Sequence, residues 1–155
     1  MEMPQSLPME LRWMTAADAQ AVTSADHLFD HDVRSEWVMD FLAQPNHHLC
    51  IAYADGEPVG FISAADLTHP DKGTEMFLYE LSVDDRHRRR GIGKALVAAL
   101  ADMARSRGCN GMWVLTDLDN STAIRTYRSA GASDQTEQVM LTWHLDAGAL
   151  HKLLP

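Results

Sequence analysis

The chain has 155 residues, 46% of them hydrophobic and 23% charged, and its formal net charge of −9 at pH 7 is compatible with one globular domain. The acidic charge argues against a nucleic-acid partner, and no apolar run approaches the about 18–20 residues of a membrane span. No basic, apolar leader opens the chain and two cysteines are too few for a disulfide framework, so we expect a single cytoplasmic domain over residues 1–155 without a metal.

The chain begins with a polar, proline-containing stretch, residues 1–10, which favours a loose end. Residues 11–14 predict a short strand. Thr15 is a suitable cap for a helix that we expect to continue to about Leu28. A break rich in acidic residues follows, and the apolar spacing of residues 35–42 then predicts a second helix.

The next elements are predicted to be strands. Residues 48–54 and 59–65 flank an Asp55-Gly56 turn, which is the pattern of a β-hairpin. Residues 66–74 are polar and predict a long loop. Residues 75–83 are nearly continuous in apolar character, so we expect a strand that is buried on both faces.

The second half of the chain predicts two helices and two strands. The longer helix covers residues 91–107, a strand follows at 111–116, and a short helix begins after Asn120. Residues 137–145 alternate between apolar and polar side chains and predict a strand that closes the sheet, before a loose tail at 147–155. The order β-α-α-β-β-β-α-β-α-β indicates a mixed α/β fold with a hairpin-rich sheet.

The most informative stretch joins the strand that ends at Val83 to the longer helix. A strand, a tight turn and a helix N-terminus form an anion site, because the first backbone N–H groups of a helix have no partner within it. Gly91 and Gly93 allow an anion to approach the backbone closely. Arg88, Arg89 and Arg90 add positive charge, so the stretch predicts a phosphate or pyrophosphate site.

Two common phosphate motifs do not fit this stretch. A P-loop requires glycine where Arg88 stands and Ser or Thr where Ala95 stands, and the dinucleotide fingerprint requires Gly or Ala at Leu96. The pattern that remains is Arg88-x-x-Gly91-x-Gly93. On its own it could also be a basic helix cap with two turn glycines.

A second motif lies about thirty residues further on. Asn120 is a suitable N-cap, Ala123 and Tyr127 follow at helical spacing, and Gly131 is a suitable helix stop. The simpler interpretation is a short capped helix with one buried aromatic side chain.

Together, Arg88-x-x-Gly91-x-Gly93 and Asn120-x-x-Ala123-x-x-x-Tyr127-x-x-x-Gly131 resemble the two signatures of the GNAT superfamily of N-acetyltransferases. The resemblance covers about residues 11–145. It implies the GNAT fold, a central, mostly antiparallel sheet that is splayed at the CoA cleft and flanked by helices, with acetyl-CoA as cofactor. The cofactor-binding residues that it implies are Leu81, Ser82, Val83, Arg88, Arg89, Arg90, Gly91, Ile92, Gly93, Lys94, Asn120, Ala123 and Tyr127.

Glu80 is the unusual residue of its strand, since it places a carboxylate inside an apolar run. An unpaired buried charge costs several kcal/mol. Glu80 therefore either pairs with a basic residue or lines a cleft as a base. Acetylation of an amine requires a base, because an ammonium group with a pKa near 10 has no lone pair at neutral pH. Burial would raise the pKa of Glu80 toward the useful range.

The resemblance implies two further catalytic roles. Tyr127 matches the position of the general acid that protonates the CoA thiolate, the alternative being a packing role in the core. The backbone N–H of Val83 would stabilise the carbonyl oxygen, and Leu81 with Val83 would offer backbone hydrogen bonds to pantetheine.

Residues 79–83 are similar to a Tyr-Asp-Leu-Ala-Val segment of the aminoglycoside 3-N-acetyltransferases, in which the acidic residue is the proposed base. The segment after Asn120 departs from the acidic turn of that group. We therefore expect a small, cationic amine as the acceptor, an aminoglycoside being one candidate. The alternatives are a polyamine, another small amine, a protein N-terminus, or CoA binding without catalysis, and a homodimer is left open.

Five of the 13 basic residues lie between residues 86 and 94, so the rest of the chain is more acidic than its average. This acidity either attracts a cationic substrate or serves only solubility. The substrate-binding residues expected on the first interpretation are Asp30, Asp32, Glu80, Asp117 and Asp119.

Overall fold

The computed structural model describes residues 9–146, in which five strands form one sheet in chain order. The first four strands are antiparallel neighbours, and the fifth is parallel to the fourth because a helix connects them. The strands are β1 Met9–Trp13, β2 His47–Ala54, β3 Glu57–His69, β4 Gly73–Val83 and β5 Gly111–Val114.

Within residues 9–146, four α-helices and three short 3-10 turns flank the sheet. None of the helices in the described part of the chain is long and apolar enough to cross a bilayer. The helices are α1 Ala19–Ser24, α2 Ser35–Ala43, α3 Ile92–Ser106 and α4 Ser121–Ser129, and the 3-10 turns are Ala16–Asp18, Asp26–Leu28 and Asp85–His87.

Two apolar cores lie on opposite faces of the sheet because side chains alternate along each strand. On β2, Cys50 and Ala52 face α3, whereas Leu49, Ile51 and Tyr53 face α1 and α2. The α3 side is completed by the apolar stripe of that helix. Its buried members are Ile92, Leu96, Val97, Leu100 and Ala104.

Most predicted elements are confirmed, among them the hairpin turn, where Asp55 and Gly56 have φ angles of 51° and 77°. The prediction of one continuous helix from Thr15 to Leu28 is wrong, because two 3-10 turns and a short α-helix occupy this range. The capping box of Thr15 and Asp18 closes only a 3-10 turn, and α1 is six residues long.

The predicted loose end at residues 1–10 is wrong at Met9 and Glu10, because these two residues belong to β1. Residues 1–8 and the predicted loose tail at 147–155 lie outside the described residues.

One loop prediction and one burial prediction are corrected near the middle of the chain. Residues 66–74 are not a long loop, because β3 and β4 continue as a hairpin to the pair His69 and Gly73. The threonine hydroxyls of residues 68 and 74 meet at 2.9 Å across this extension. The strand at 75–83 is not buried on both faces, since within it only Met76 and Leu78 are buried.

The strand predicted at residues 137–145 does not form. The segment lies outside the sheet and its side chains are exposed throughout. A strand requires a hydrogen-bonded neighbour as well as an alternating pattern, and this segment has no such neighbour within residues 9–146.

Candidate active site

The sheet opens beside the second half of β4. β5 pairs with β4 only over residues 75–78, whereas β4 continues to Val83 with β3 on its other side. Within the described residues, no strand covers the β5-side edge of β4 from Tyr79 onward. The predicted splay of the sheet is therefore present at the end of β4.

A β-bulge at Tyr79 changes which side chains of β4 face α3. Ser63 is opposite Glu80 and Ala64 is opposite Leu78, so Tyr79 is the extra residue of the pair. Before the bulge Met76 and Leu78 pack in the α3 core, and after it Leu81 and Val83 do. Glu80 is therefore turned to the opposite face, toward α1 and α2.

Backbone groups at the end of β4 point into the opening. The N–H of Asp84 donates to the Val59 carbonyl on β3, at 2.8 Å. Because successive N–H groups of a strand point to opposite edges, the N–H of Val83 points away from β3, as does that of Leu81. This is the orientation that the predicted backbone contacts of Leu81 and Val83 require.

The turn before α3 has an unusual backbone. Arg89 adopts a φ of 65° and Gly91 a φ of 78°, and a non-glycine residue in that region costs about 1–3 kcal/mol. Gly91 is the N-cap of α3 and offers no side chain to the helix. The first N–H groups of α3 are thus left for solvent or a ligand. Arg88, Arg89 and Arg90 are exposed around them, Arg88 in an ion pair of 2.9 Å with Asp85.

Gly93 marks the point where β4, α3 and α4 meet. A Cβ atom at this position would lie 3.3 Å from Thr126, 3.6 Å from Leu81 and 3.7 Å from Val83. The two sequence motifs are therefore brought together at the open end of β4. The glycine serves this close packing of α3 and α4, so its expected contact with an anion is not its only role.

The two side chains of the second motif have different contacts, one with the core and one with the backbone of α4. Tyr127 is half-buried and packs against the α3 core, and burial raises the pKa of its phenol above the usual 10. Its hydroxyl therefore stays protonated at neutral pH. The Asn120 side chain caps α4 by accepting from the N–H of Ala123 at 3.1 Å, as the simpler interpretation predicts.

A short arm, residues 28–30, crosses the other face of β4. The hydroxyl of Ser82 donates to the Leu28 carbonyl at 2.7 Å. Phe29 stacks on Phe61 of β3 with 4.1 Å between ring centroids. Asp30 then reaches Glu80, which lies two residues before Ser82 on β4. The Ser82 side chain thus positions the arm, which is a different contact from the cofactor contact predicted for it.

Glu80 and Asp30 form a carboxyl pair at the open end of β4. Burial, the charge of Asp30 and a hydrogen bond between the two carboxyl groups raise the pKa of Glu80 from 4.5 to about 7. The alternative expectation, that Glu80 pairs with a basic residue, does not fit this environment. A carboxyl with a pKa near neutrality can both take up and release a proton at physiological pH.

The remaining predicted acidic residues do not join this pair. Asp32 is exposed beyond the arm, and Asp117 and Asp119 are exposed in the turn between β5 and α4. An open depression of about 340 Å³ lies between the arm and the turn before α3, with Asp30, Val83 and Arg88 among its lining residues. In residues 9–146, no group of three or more His, Cys, Asp or Glu side chains is placed to hold a metal.

Several parts of this site could not be read from local sequence. The Ser82–Leu28 hydrogen bond joins residues 54 positions apart, and the stacking of Phe29 on Phe61 is similarly distant. The unusual φ of Arg89 has no sequence signal either. The one usable signal was a glutamate within an apolar strand. It identified Glu80, but it did not show that Asp30 lies beside it.

Sequence comparison matches most of the chain to one family model, described as the acetyltransferase (GNAT) family, over residues 11–132. N-acetyltransferase 8 of Rattus norvegicus is 30% identical over 128 residues, which are 81% of this chain and 58% of that protein. Streptothricin acetyltransferase of Streptomyces lavendulae is 33% identical over 78 residues, 50% of this chain and 40% of that protein. The chain thus spans little more than half the length of the first of these relatives.

Solved structures share the fold. One is an aminoglycoside acetyltransferase from an uncultured soil metagenomic sample in complex with sisomicin, with a TM-score of 0.82 at 21% identity, covering 89% of this chain and 97% of that chain. Another is the aminoglycoside N-acetyltransferase AAC(6')-Iy in complex with CoA, with a TM-score of 0.75 at 23% identity, covering 92% and 98%. At these identities the likeness concerns the fold.

Proposed function

Because the chain belongs to the GNAT acetyltransferase family, we propose that it transfers an acetyl group from acetyl-CoA to a primary amine by direct attack. The observation that carries the proposal is the position of Glu80. A carboxyl with a pKa raised to about 7 lies beside the unpaired edge of β4, at the end where α3 begins.

The residues at the open end of β4 fit acetyl-CoA. The N–H groups at the start of α3 and the three arginines before it would hold the pyrophosphate. The unpaired backbone of Leu81 and Val83 would hold the pantetheine arm as an added strand. When bound, acetyl-CoA supplies the activated acyl group and a thiolate leaving group.

Glu80 removes a proton from the ammonium form of the acceptor, directly or through a water, so that the amine gains a lone pair. Its pKa of about 7 suits this role, since a general base is most effective near the working pH. Asp30 supports the role by raising that pKa. The N–H of Val83 would donate to the carbonyl oxygen as negative charge develops on it.

Tyr127 would act as the general acid toward the thiolate, because its phenol stays protonated at neutral pH. We predict that Tyr127→Phe lowers kcat about 10²-fold while leaving KM for acetyl-CoA nearly unchanged. The ring still packs in the core, so the thermal midpoint should move little. Tyr53→Phe, which alters a buried tyrosine on β2, is the matched control. A Tyr127→Phe enzyme with the normal rate would leave this residue a packing role only.

We propose a cationic small molecule as the acceptor, with an aminoglycoside as the leading candidate. The net charge of −9 and the carboxyl pair of Asp30 and Glu80 support this choice. A release assay for the CoA thiol should therefore show turnover with polycationic amines. Its panel contains aminoglycosides with the 3- and 6'-amino groups blocked in turn, polyamines, and peptides with a free N-terminus.

For the preferred polycation, KM should rise about tenfold from low to high salt, equivalent to about 1.4 kcal/mol of screened attraction. Asp30→Asn should raise KM at low salt, whereas Asp55→Asn in the β2–β3 turn should not. Turnover restricted to neutral or anionic amines, or a KM that is independent of salt, would exclude the cationic acceptor. Absence of thiol release with every amine, together with CoA binding, would favour a protein that binds CoA without catalysis.

A further inference from the structure

The arm of residues 28–30 crosses the sheet without backbone support from it. In the part of the chain that the structure describes, no backbone–backbone hydrogen bond joins the arm to a strand. The N–H groups of Leu28 and Phe29 donate to carbonyls of the turn that precedes them. Asp30 is exposed at the end of the arm. Its position beside Glu80 therefore depends on the side chains that hold the two preceding residues.

One cross-strand pair of the sheet holds the arm. Phe61 on β3 lies opposite Ser82 on β4. The hydroxyl of Ser82 donates to the Leu28 carbonyl at 2.7 Å, and the ring of Phe61 stacks on that of Phe29 with 4.1 Å between centroids. The next cross-strand pair on the same face contains Glu80. One pair thus fixes two consecutive arm residues, and the third arm residue is brought to the pair beside it.

Asp30 is the charged neighbour that acts on Glu80. Burial raises the pKa of Glu80, and the charge of Asp30 and its hydrogen bond raise that pKa further. No other charged group within residues 9–146 contributes to this rise. The residue opposite Glu80 on β3 is Ser63, which does not titrate. The other titratable side chains at the depression between the arm and the turn before α3 are His27, Asp84, Asp85 and Arg88.

We propose that Ser82 is a positioning residue, whose hydrogen bond to the Leu28 carbonyl keeps Asp30 beside Glu80 and so sets the pH range in which Glu80 accepts a proton. Its value to the reaction rests on the proposed function, in which Glu80 is the base. A nearby like charge favours the protonated form of a carboxyl. Without the Ser82 hydroxyl the arm keeps only the ring stack, and Asp30 moves away from Glu80.

The direct test is the titration of Glu80 itself, by ¹³C NMR of the full chain labelled at the glutamate side-chain carboxyl. Glu80→Gln removes one signal and thereby assigns it. In the wild type the pKa of this carboxyl should be about 7. In Ser82→Ala the titration midpoint should fall by about one pH unit, because a like charge and its hydrogen bond are lost together. Ser82→Thr keeps the hydroxyl and should restore the wild-type midpoint.

Ser106→Ala is the matched control. The hydroxyl of Ser106 also donates to a backbone carbonyl at 2.7 Å, that of Met103, at the C-terminal end of α3. Its removal should leave the titration of Glu80 unchanged. Thermal unfolding of both alanine variants then separates a loss of stability, which they share, from a change at Glu80, which only Ser82→Ala should show.

A double-mutant cycle determines whether Ser82 acts through Asp30. Asp30→Asn removes the charge, so adding Ser82→Ala to it should move the midpoint much less than Ser82→Ala does in the wild type. An equal shift in both backgrounds would mean that Ser82 affects Glu80 by another route. That result, or an unchanged midpoint in Ser82→Ala alone, would overturn the proposal.

The pH profile of kcat/KM distinguishes this proposal from the role of Glu80 as the base. If both hold, the acidic limb of Ser82→Ala should move to lower pH together with the NMR midpoint. A midpoint that moves while the limb stays in place would support the hold of Ser82 on Asp30 and contradict the assignment of Glu80 as the base. An unmoved midpoint would refute the positioning role of Ser82, whatever the kinetics of Glu80→Gln.

Discussion

Glu80→Gln should lower kcat by about 10²–10⁴-fold, the usual effect of removing a general base. Glutamine keeps the shape of the side chain but cannot take up the proton of the acceptor. In the wild type, activity should fall as pH drops below about 7, because Glu80 is then protonated. This acidic limb should disappear from the profile of the residual activity. The measurement is kcat/KM against pH with a saturating acetyl donor.

The same substitution should stabilise the protein at alkaline pH. A carboxyl whose pKa rises from 4.5 to about 7 on folding destabilises the native state progressively between those pH values and fully above them. The full rise corresponds to about 3 kcal/mol, and screening by solvent at this half-exposed group reduces it to about 1–2 kcal/mol. Glu80→Gln should therefore raise the thermal midpoint more at pH 8 than at pH 5.

Glu75→Gln is the matched control for both measurements, because Glu75 lies on the same strand where β5 covers it. It should leave the pH profile unchanged. Asp30→Asn provides an independent check, since it removes a charge that raises the pKa of Glu80, and should move the acidic limb to lower pH. If Glu80→Gln retains the wild-type rate and the acidic limb, Glu80 is not the base.

Gly91→Asp should abolish measurable binding of CoA. The residue has a φ of 78°, so an aspartate there costs about 1–2 kcal/mol of backbone strain, and it places a negative charge at the start of α3 where the pyrophosphate is proposed to bind. Isothermal titration calorimetry with CoA measures the effect. An unchanged affinity would show that the pyrophosphate binds elsewhere.

Two variants separate strain from charge in this experiment. Gly91→Asn tolerates the left-handed backbone better and carries no charge, so it should retain weak binding. Gly108→Asp makes the same substitution beyond the other end of α3, at the same φ of 78° and with equally open space around a Cβ atom. It should bind CoA normally, and a loss of binding there would point to general destabilisation of α3.

The parts of this protein that were predictable from sequence depend on local chemistry. The α4 helix has its capping residue Asn120 and its stop residue Gly131 within a few positions of its ends, and the Asp55-Gly56 turn determines its own hairpin. Glu80 was identifiable because a carboxylate within an apolar run requires an explanation. The GNAT resemblance, carried by Gly91 and Tyr127 with their neighbours, is confirmed by the family model.

The parts that were not predictable depend on contacts between distant residues. Asp30 meets Glu80 only because Ser82 holds the Leu28 carbonyl and Phe29 stacks on the neighbouring strand. The bulge at Tyr79 is a property of the pairing with β3, which no pattern within β4 reveals. The strand predicted at residues 137–145 failed for a related reason, since alternation describes a strand but does not supply its partner.

The bulge at Tyr79 lets one strand serve both faces of the sheet. The extra residue shifts the alternation of side chains, so that Met76 and Leu78 before it and Leu81 and Val83 after it all pack on the α3 side. Glu80 and Ser82 face the arm of residues 28–30 instead. The backbone N–H groups of Leu81 and Val83 point to the open edge of β4, and their position does not depend on which side chains these residues carry. Substitution of Ser82 can therefore change how the arm of residues 28–30 is held while the backbone of Leu81 and Val83, proposed to bind the cofactor, is preserved, whereas a one-residue slip in the pairing with β3 would reverse both faces together.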